Sequence, residues 1–308
     1  MTGASFQRLM DSLMSDESQA AAPLPDEGVY PIREVSRLTG VNAVTLRAWQ
    51  RRYGLVQPAR TEKGHRLYSE QDIRQIGEIL SWLERGVSIG QVKGLLSEPQ
   101  SAPVSDHWQQ TLEQFSQALL AFNQRKAEAE LGDLLASYPF ELVRSRVLQP
   151  LVERLLGLWR ERPDGELLQQ VWLGWLHTRF ARHLIEQEKG VPVTLASWGQ
   201  VGPLDLVWAA YELIGQGYEV QLLGAVEPRY ATLLEGRATP PWLILLGAGL
   251  GKQDQAAEWP EGTRFFGELG RLYDEPWRRA RNWHATLAEV SATTRTAKAK
   301  GKGGRTPS

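Results

Sequence analysis

At 308 residues, 42% of them hydrophobic and 23% charged, with a formal net charge of −1, the chain has material for two or three folded units with real cores. No run approaches the roughly eighteen uninterrupted apolar residues that a membrane span needs, and cysteine is absent, which excludes thiolate metal ligands and thiol redox chemistry. The five histidines, His65, His107, His177, His183 and His284, include no pair at three- or four-residue spacing, so no metal site is expected.

The first 29 residues carry Asp11, Asp16, Glu17, Asp26 and Glu27 against Arg8 alone. That polarity is wrong for a secretory leader, and a cytoplasmic chain is expected. Phe6, Leu9, Met10, Leu13 and Met14 recur at helical intervals, as a docking stripe or a fraying end would, and residues 1–29 are read as a disordered N-terminal segment.

Residues 30–96 have the layout of a helix-turn-helix followed by a basic hairpin and two closing helices. Pro31 suits a first helical turn, Ile32, Val35 and Leu38 recur at helical spacing, and Gly40 fits the stop. Asn42 offers an N-cap to a second helix, about Ala43 to Tyr53. Val44, Leu46 and Trp49 are its candidate buried positions, and Thr45, Arg47, Gln50, Arg51 and Arg52 its polar or basic ones. Such a helix fits a major groove, where Arg forks onto guanine or phosphate and Gln reads adenine. Pro58 to Tyr68 then forms two extended runs about a Lys-Gly turn, a wing carrying Arg60, Lys63, His65, Arg66 and Tyr68 as donors to phosphate oxygens. Ser69, Glu70 and Asp72 open a capped, acid-biased helix with Ile73, Ile76, Leu80 and Leu83 on one side, which supports the wing rather than reading DNA.

Positive charge is concentrated here. Residues 30–96 hold eleven Lys or Arg and six Asp or Glu, a local +5 in a chain of net −1, which is the footprint that counterion release from duplex DNA requires. The run Thr45-Leu46-Arg47-Ala48-Trp49-Gln50-Arg51-Arg52-Tyr53-Gly54-Leu55, with Pro58, Arg60 and Gly64-His65-Arg66-Leu67-Tyr68, resembles the winged helix-turn-helix of the MerR family of bacterial transcription regulators. Within that family it resembles in particular the cobalamin-dependent photoreceptor regulators and the curli and biofilm regulators. The resemblance implies that Arg47, Arg66 and Tyr68 clamp phosphates while Thr45, Arg51 and Arg52 face the groove or its edges. Gln50, Tyr53, Arg60, Lys63 and His65 complete the candidate DNA-binding set, and Gln50 stands where the family pattern leads one to expect Glu.

Residues 97–106, containing Pro and Ser, are read as a linker. Four helices follow, Trp108 to Phe122, Arg125 to Ala136, Phe140 to Trp159 and Gly165 to Gln187, giving a bundle over 107–188. No long heptad run follows the DNA-binding region, so the long dimerisation helix of many MerR relatives is not expected. From Val191 strands alternate with helices: Pro192 to Ala196, helix Asp205 to Ile214, Glu219 to Leu223, a weak helix near Tyr230 to Leu234, Trp242 to Leu246, Arg264 to Gly267, and a terminal helix from Glu275 to Val290. Such alternation predicts a parallel sheet that binds ligands at its strands' carboxyl ends. The last eighteen residues, 291–308, with Lys298, Lys300, Lys302 and Arg305, are read as a disordered basic tail.

A bundle and an α/β unit behind this DNA-binding region resemble the cobalamin-binding module of the photoreceptor regulators, through Leu158-Trp159, Leu223-Gly224, and Gly267 with Gly270. The chemical core departs from it. Gln169-Gln170 stands where that family places Glu-His, and Gly199-Gln200-Val201-Gly202-Pro203 occupies the loop that should present the cobalt-ligating His, with Gly202 at the ligand position. Neither glycine nor an amide supplies the basic nitrogen cobalt needs, so no cofactor is expected. Trp159, Trp172, Trp175 and Trp198 are either an effector pocket for a planar molecule or ordinary core.

No nucleophile elbow, P-loop or paired His-Glu zinc motif is present, and Gly247-Ala248-Gly249-Leu250-Gly251 reads as a turn, so no enzyme is expected. The chain is thus read as multidomain, α and α/β: a winged helix-turn-helix over 30–96, a bundle over 107–188, and a degenerate, cobalamin-binding-like Rossmann-like parallel α/β unit over 189–290. The expected function is sequence-specific regulation of transcription through double-stranded promoter DNA. The resemblance implies a homodimer or higher oligomer that distorts the promoter for RNA polymerase. A repressor gated by cobalamin or another planar ligand is the alternative.

Overall fold

The computed structural model describes residues 29–97, 106–158, 162–231, 233, 241–251, 254, 258–260 and 263–267. The N-terminal stripe from Phe6 to Met14, most of the linker, Trp159, the terminal helix at 275–290, Gly270 and the basic tail lie outside the described residues. The chain divides into two units, Met1–Trp172 and Leu173–Ser308, a boundary that falls within the last expected bundle helix rather than at its end.

In the first unit, β1 (Tyr30–Pro31) leads into α1 (Ile32–Thr39). Pro31 caps this helix in an extended conformation instead of occupying its first turn, and Gly40 closes it at φ 71° with its N–H on Ser36 O. Helix α2 begins as Ala43–Ala48 and continues as a π turn over Trp49–Tyr53. Strands β2 (Ala59–Arg60) and β3 (Arg66–Tyr68) form the hairpin, with Arg60 opposite Arg66 and Ala59 opposite Leu67. Strand β1 joins on the other edge of β3, placing Tyr30 opposite Tyr68.

Helix α3 (Glu70–Glu84) starts from a reciprocal capping box, Ser69 with Asp72. Its buried face is Ile76, Gly77, Ile79 and Leu83, while the expected Ile73 and Leu80 are only half-buried. Helix α4 (Ile89–Ser97) completes the winged-helix portion. The bundle portion has α5 (His107–Leu120), α6 (Gln124–Ser137), and α7, a continuous run of Phe140–Val143, a π turn Arg144–Leu148 and Gln149–Leu158. Helix α8 (Gly165–Ile185) starts in the first unit and ends in the second.

The second unit is a four-stranded sheet in the order β5-β4-β6-β7, with β4 Val191–Trp198, β5 Tyr218–Ala225, β6 Trp242–Leu246 and β7 Arg264–Phe266, every neighbouring pair parallel. Between strands lie α9 (Asp205–Gly215) and the single turn α10 (Pro228–Ala231), which begins ahead of the expected weak helix. Both faces of the sheet are covered. Val193, Leu195 and Leu243 pack with Ala209, Ala210 and Leu213 of α9, while Ala196, Trp198, Trp242, Ile244 and Leu246 form a second cluster with Val226. Double-sided burial explains why Trp242 to Leu246 reads as an unbroken apolar run instead of alternating. Among the described residues no helix is long and apolar enough to cross a membrane.

Candidate nucleic-acid interface

Helix α2 owes its start to Asn42, whose Oδ1 accepts the Thr45 N–H at 2.8 Å. Its buried arc is Thr45, Leu46, Ala48 and Trp49. This corrects the sequence reading at two neighbouring positions: Val44, expected inside, is 61% exposed, and Thr45, expected toward the groove, is fully buried. The apolar period of so short a segment is compatible with either rotation, and packing chose the one that sinks Thr45. In an unbroken α-helix Arg52, three residues past Trp49, would share that buried side. The wider π turn carries it outward, so that Arg51 and Arg52 are both exposed.

The wing tip is a turn in which Thr61 N–H donates to His65 O at 2.9 Å and Gly64 N–H to Thr61 O at 2.8 Å. Gly64 takes φ +79°, and a Cβ there would meet nothing within 4 Å, so the position requires glycine for its backbone conformation rather than for space. Arg60, Lys63 and His65 are exposed, and Arg66 is half-buried with its Nε donating to Gln50 Oε1 at 2.6 Å.

Several arginines elsewhere in the molecule are matched to carboxylates: Arg37 to Glu34, Arg144 to Glu141 at 2.8 Å, Arg154 to Glu113 at 3.1 Å, and Arg182 to Glu186 at 2.7 Å. Among the described residues no ion pair holds Arg47, Arg51, Arg52, Arg60, Lys63, His65 or Arg66. One helix and one hairpin thus carry a cluster of cations that outnumber the single carboxylate among them, Glu62, and are held in no ion pair, which is what a polyanion ligand would neutralise.

Two further candidates are turned away from solvent. Tyr68, which the resemblance makes a phosphate clamp, is fully buried, and its hydroxyl meets no hydrogen-bond partner among the described residues. Burial pushes that hydroxyl's pKa up, against smaller opposing effects of Arg66 and Arg47. Tyr53, half-buried, places its hydroxyl 3.1 Å from Ser137 Oγ.

Sequence reasoning missed the platform beneath this surface. Trp49 Nε1 donates to Ser137 O at 2.8 Å and Trp108 Nε1 donates to Leu83 O at 2.8 Å, tying the winged helix to the bundle from both directions. At the centre is Tyr138, whose hydroxyl accepts Ile89 N–H at 3.2 Å and lies 2.8 Å from His107 Nε2, with Trp108 packed edge-on at 4.9 Å. Which of the two donates is set by the His107 tautomer, and burial pushes the His107 pKa down. The signal available in sequence was generic: a buried indole must find an acceptor.

At the carboxyl ends of the central strands the loops after β4 and β6 close on each other. Gln200 N–H donates to Ala248 O at 2.9 Å, Ala248 N–H to Gln200 O at 2.8 Å, and Gly247 N–H to Trp198 O at 2.7 Å. A Cβ on Gly247 would lie 2.4 Å from Gln200 O, and one on Gly199, at φ +84°, 2.7 Å from Ala248 O. Gly202 gives its N–H to Asp205 Oδ2 at 2.8 Å, and a Cβ there would lie 2.8 Å from that same oxygen.

The candidate aromatic pocket residues are engaged locally. Trp172 is buried in the first unit with Nε1 on Leu119 O at 3.0 Å. Trp198 is buried in the second unit with its ring 5.3 Å from Trp259, and Trp175 is half-buried. Among the described residues no group of three His, Asp or Glu side chains is placed to hold a metal ion.

Residues 30–99 match the family model for MerR HTH family regulatory proteins. The chain is 31% identical over 217 residues to the HTH-type transcriptional regulator MlrA of Escherichia coli strain K12, a match covering 70% of this chain and 88% of that relative. It is 39% identical over 127 residues to MlrA of Salmonella typhimurium, covering 41% and 52% of the two chains. To the HTH-type transcriptional repressor CarH of Myxococcus xanthus it is 27% identical over 141 residues, covering 41% and 46%.

Proposed function

This chain belongs to the MerR family of DNA-binding transcription regulators, and we propose that it holds promoter DNA as a dimer through α2 and the wing, distorting the duplex for RNA polymerase. The observation that carries this reading is the cluster of cations without ion pairs on α2 and the hairpin, set on a platform that fixes their backbone. Arg51 and Arg52 lie toward the groove, while Arg47, Arg60, Lys63, His65 and Arg66 meet phosphates. Thr45 and Tyr68 act from inside the core, by supporting α2 and β3. Activation then rests on DNA deformation as much as on base contacts.

The region after the bundle serves self-association or effector control without His-ligated cobalamin, and the chain is no enzyme. Three features support the absence of that ligation: the glycine at the expected ligand position supplies no basic nitrogen, its N–H is already engaged by Asp205, and the strand-end loops are joined by backbone bonds where a ligand would enter.

Footprinting the full chain on its promoter tests the reading. Protection of an inverted repeat is expected, and Arg47→Ala should weaken binding to every duplex and lower the salt slope by about 0.9. Binding indifferent to both Arg47→Ala and Arg66→Ala would sink it. Titration with adenosylcobalamin, followed in the visible spectrum in darkness and light, tests the second part: no stoichiometric red-shifted complex should form.

A further inference from the structure

Gln50 and Arg66 are sixteen residues apart, on α2 and β3, and meet at 2.6 Å. A guanidinium can only donate, so the amide is oriented with its oxygen toward Arg66. That oxygen is the atom a bidentate contact to adenine would need. The bond uses only Nε of Arg66, leaving both terminal nitrogens with their donors. The partner is also neutral: where a carboxylate would cancel the charge, the glutamine amide fixes the guanidinium and leaves it cationic.

A second observation points the same way. Arg60 and Arg66 are direct partners across the antiparallel hairpin, so their side chains leave the same face of the wing. Like charges placed opposite one another are unfavourable unless an anion lies between them.

Building on the DNA-binding reading above, we infer that Gln50 is a positioning residue for phosphate capture and not a base reader: it holds Arg66 beside Arg60 so that the two guanidiniums receive one backbone phosphate.

The test uses the full chain with Gln50→Ala, Gln50→Glu, Arg66→Ala and the Gln50→Ala/Arg66→Ala double variant. Binding is measured to the footprinted operator, to random duplex, and to operators substituted at each base pair, over a salt series. Gln50→Ala should weaken operator and random duplex by the same factor, leave every base preference unchanged, and add nothing in the Arg66→Ala background. Gln50→Glu should fold as the wild type does and lower the salt slope by about 0.9, the change expected when one phosphate is no longer neutralised. Relaxed preference at a single base pair, with random-duplex affinity and salt slope intact in Gln50→Ala, would overturn the proposal and make Gln50 a reader. A wild-type chain that retains neither duplex would overturn the parent reading along with it.

Discussion

The proposed DNA-binding surface of the first unit and the strand ends of the second are both places where folds of their kind hold ligands, and they are built in opposite ways. On α2 and the wing, backbone groups are satisfied locally by Asn42, Thr61 and the hairpin ladder, so the side chains of Arg51, Arg52, Arg60 and Lys63 are left to project. At the ends of β4 and β6 the backbone groups satisfy one another across the gap, and glycines at 199 and 247 let the chains approach until no side chain fits. A binding surface requires donors that the fold has not already used, and the first region keeps several on exposed side chains.

The largest expected effect is on the platform that holds α2. Trp49→Ala removes a fully buried indole and its bond to Ser137 O, and should cost the first unit about 3–5 kcal/mol together with operator binding. Denaturant melts and gel shifts would show it, and an unchanged melt would remove the platform from the account. The counterpart in the second unit is Gly247→Ala, which forces a Cβ against Gln200 O and should destabilise the α/β unit by about 1–3 kcal/mol. Operator affinity at low temperature should stay as in the wild type. A loss of DNA binding there would mean that the two regions are not as separable in function as their construction implies.

Tyr138→Phe deletes the bonds to Ile89 N–H and His107 and should cost about 1–2 kcal/mol. The same seam has a pH signature. Burial lowers the His107 pKa in the folded chain, so the stability due to neutral His107 is complete above the ordinary histidine value of about 6.5. It is lost progressively as pH falls from there toward the lowered folded value. His107→Gln should flatten the first unit's pH dependence over that window, and an unaltered slope would show that burial of His107 does not set it. The smallest effect belongs to the wing tip: Gly64→Ala, at φ +79° in open space, should cost about 1 kcal/mol of local strain. It should weaken operator and random duplex alike, measurable by anisotropy titration.

Much of the first unit is legible in the residues alone. Asn42 and Ser69 announced two helix starts by hydrogen-bonding chemistry that acts over three residues, and both caps form. The Lys-Gly turn marked the hairpin, and Trp242 to Leu246 is a strand at both predicted ends because five consecutive large apolar residues suit a strand covered on both faces. The candidate cations were named from their places on the second helix and the wing and from the family resemblance, and none of them is buried.

What sequence determined, then, was local: where helices begin, where the chain turns, and where positive charge collects, because these depend on neighbours within a turn or two. Tertiary structure alone decided that Thr45 and Tyr68 face inward, that Gln50 belongs to Arg66, that Trp49 rests on Ser137 eighty-eight residues away, and that two strand-end loops close on each other. Periodicity tells which side of a segment is apolar, but which distant element will satisfy a particular buried donor is set by packing, and packing exists only once the chain has folded.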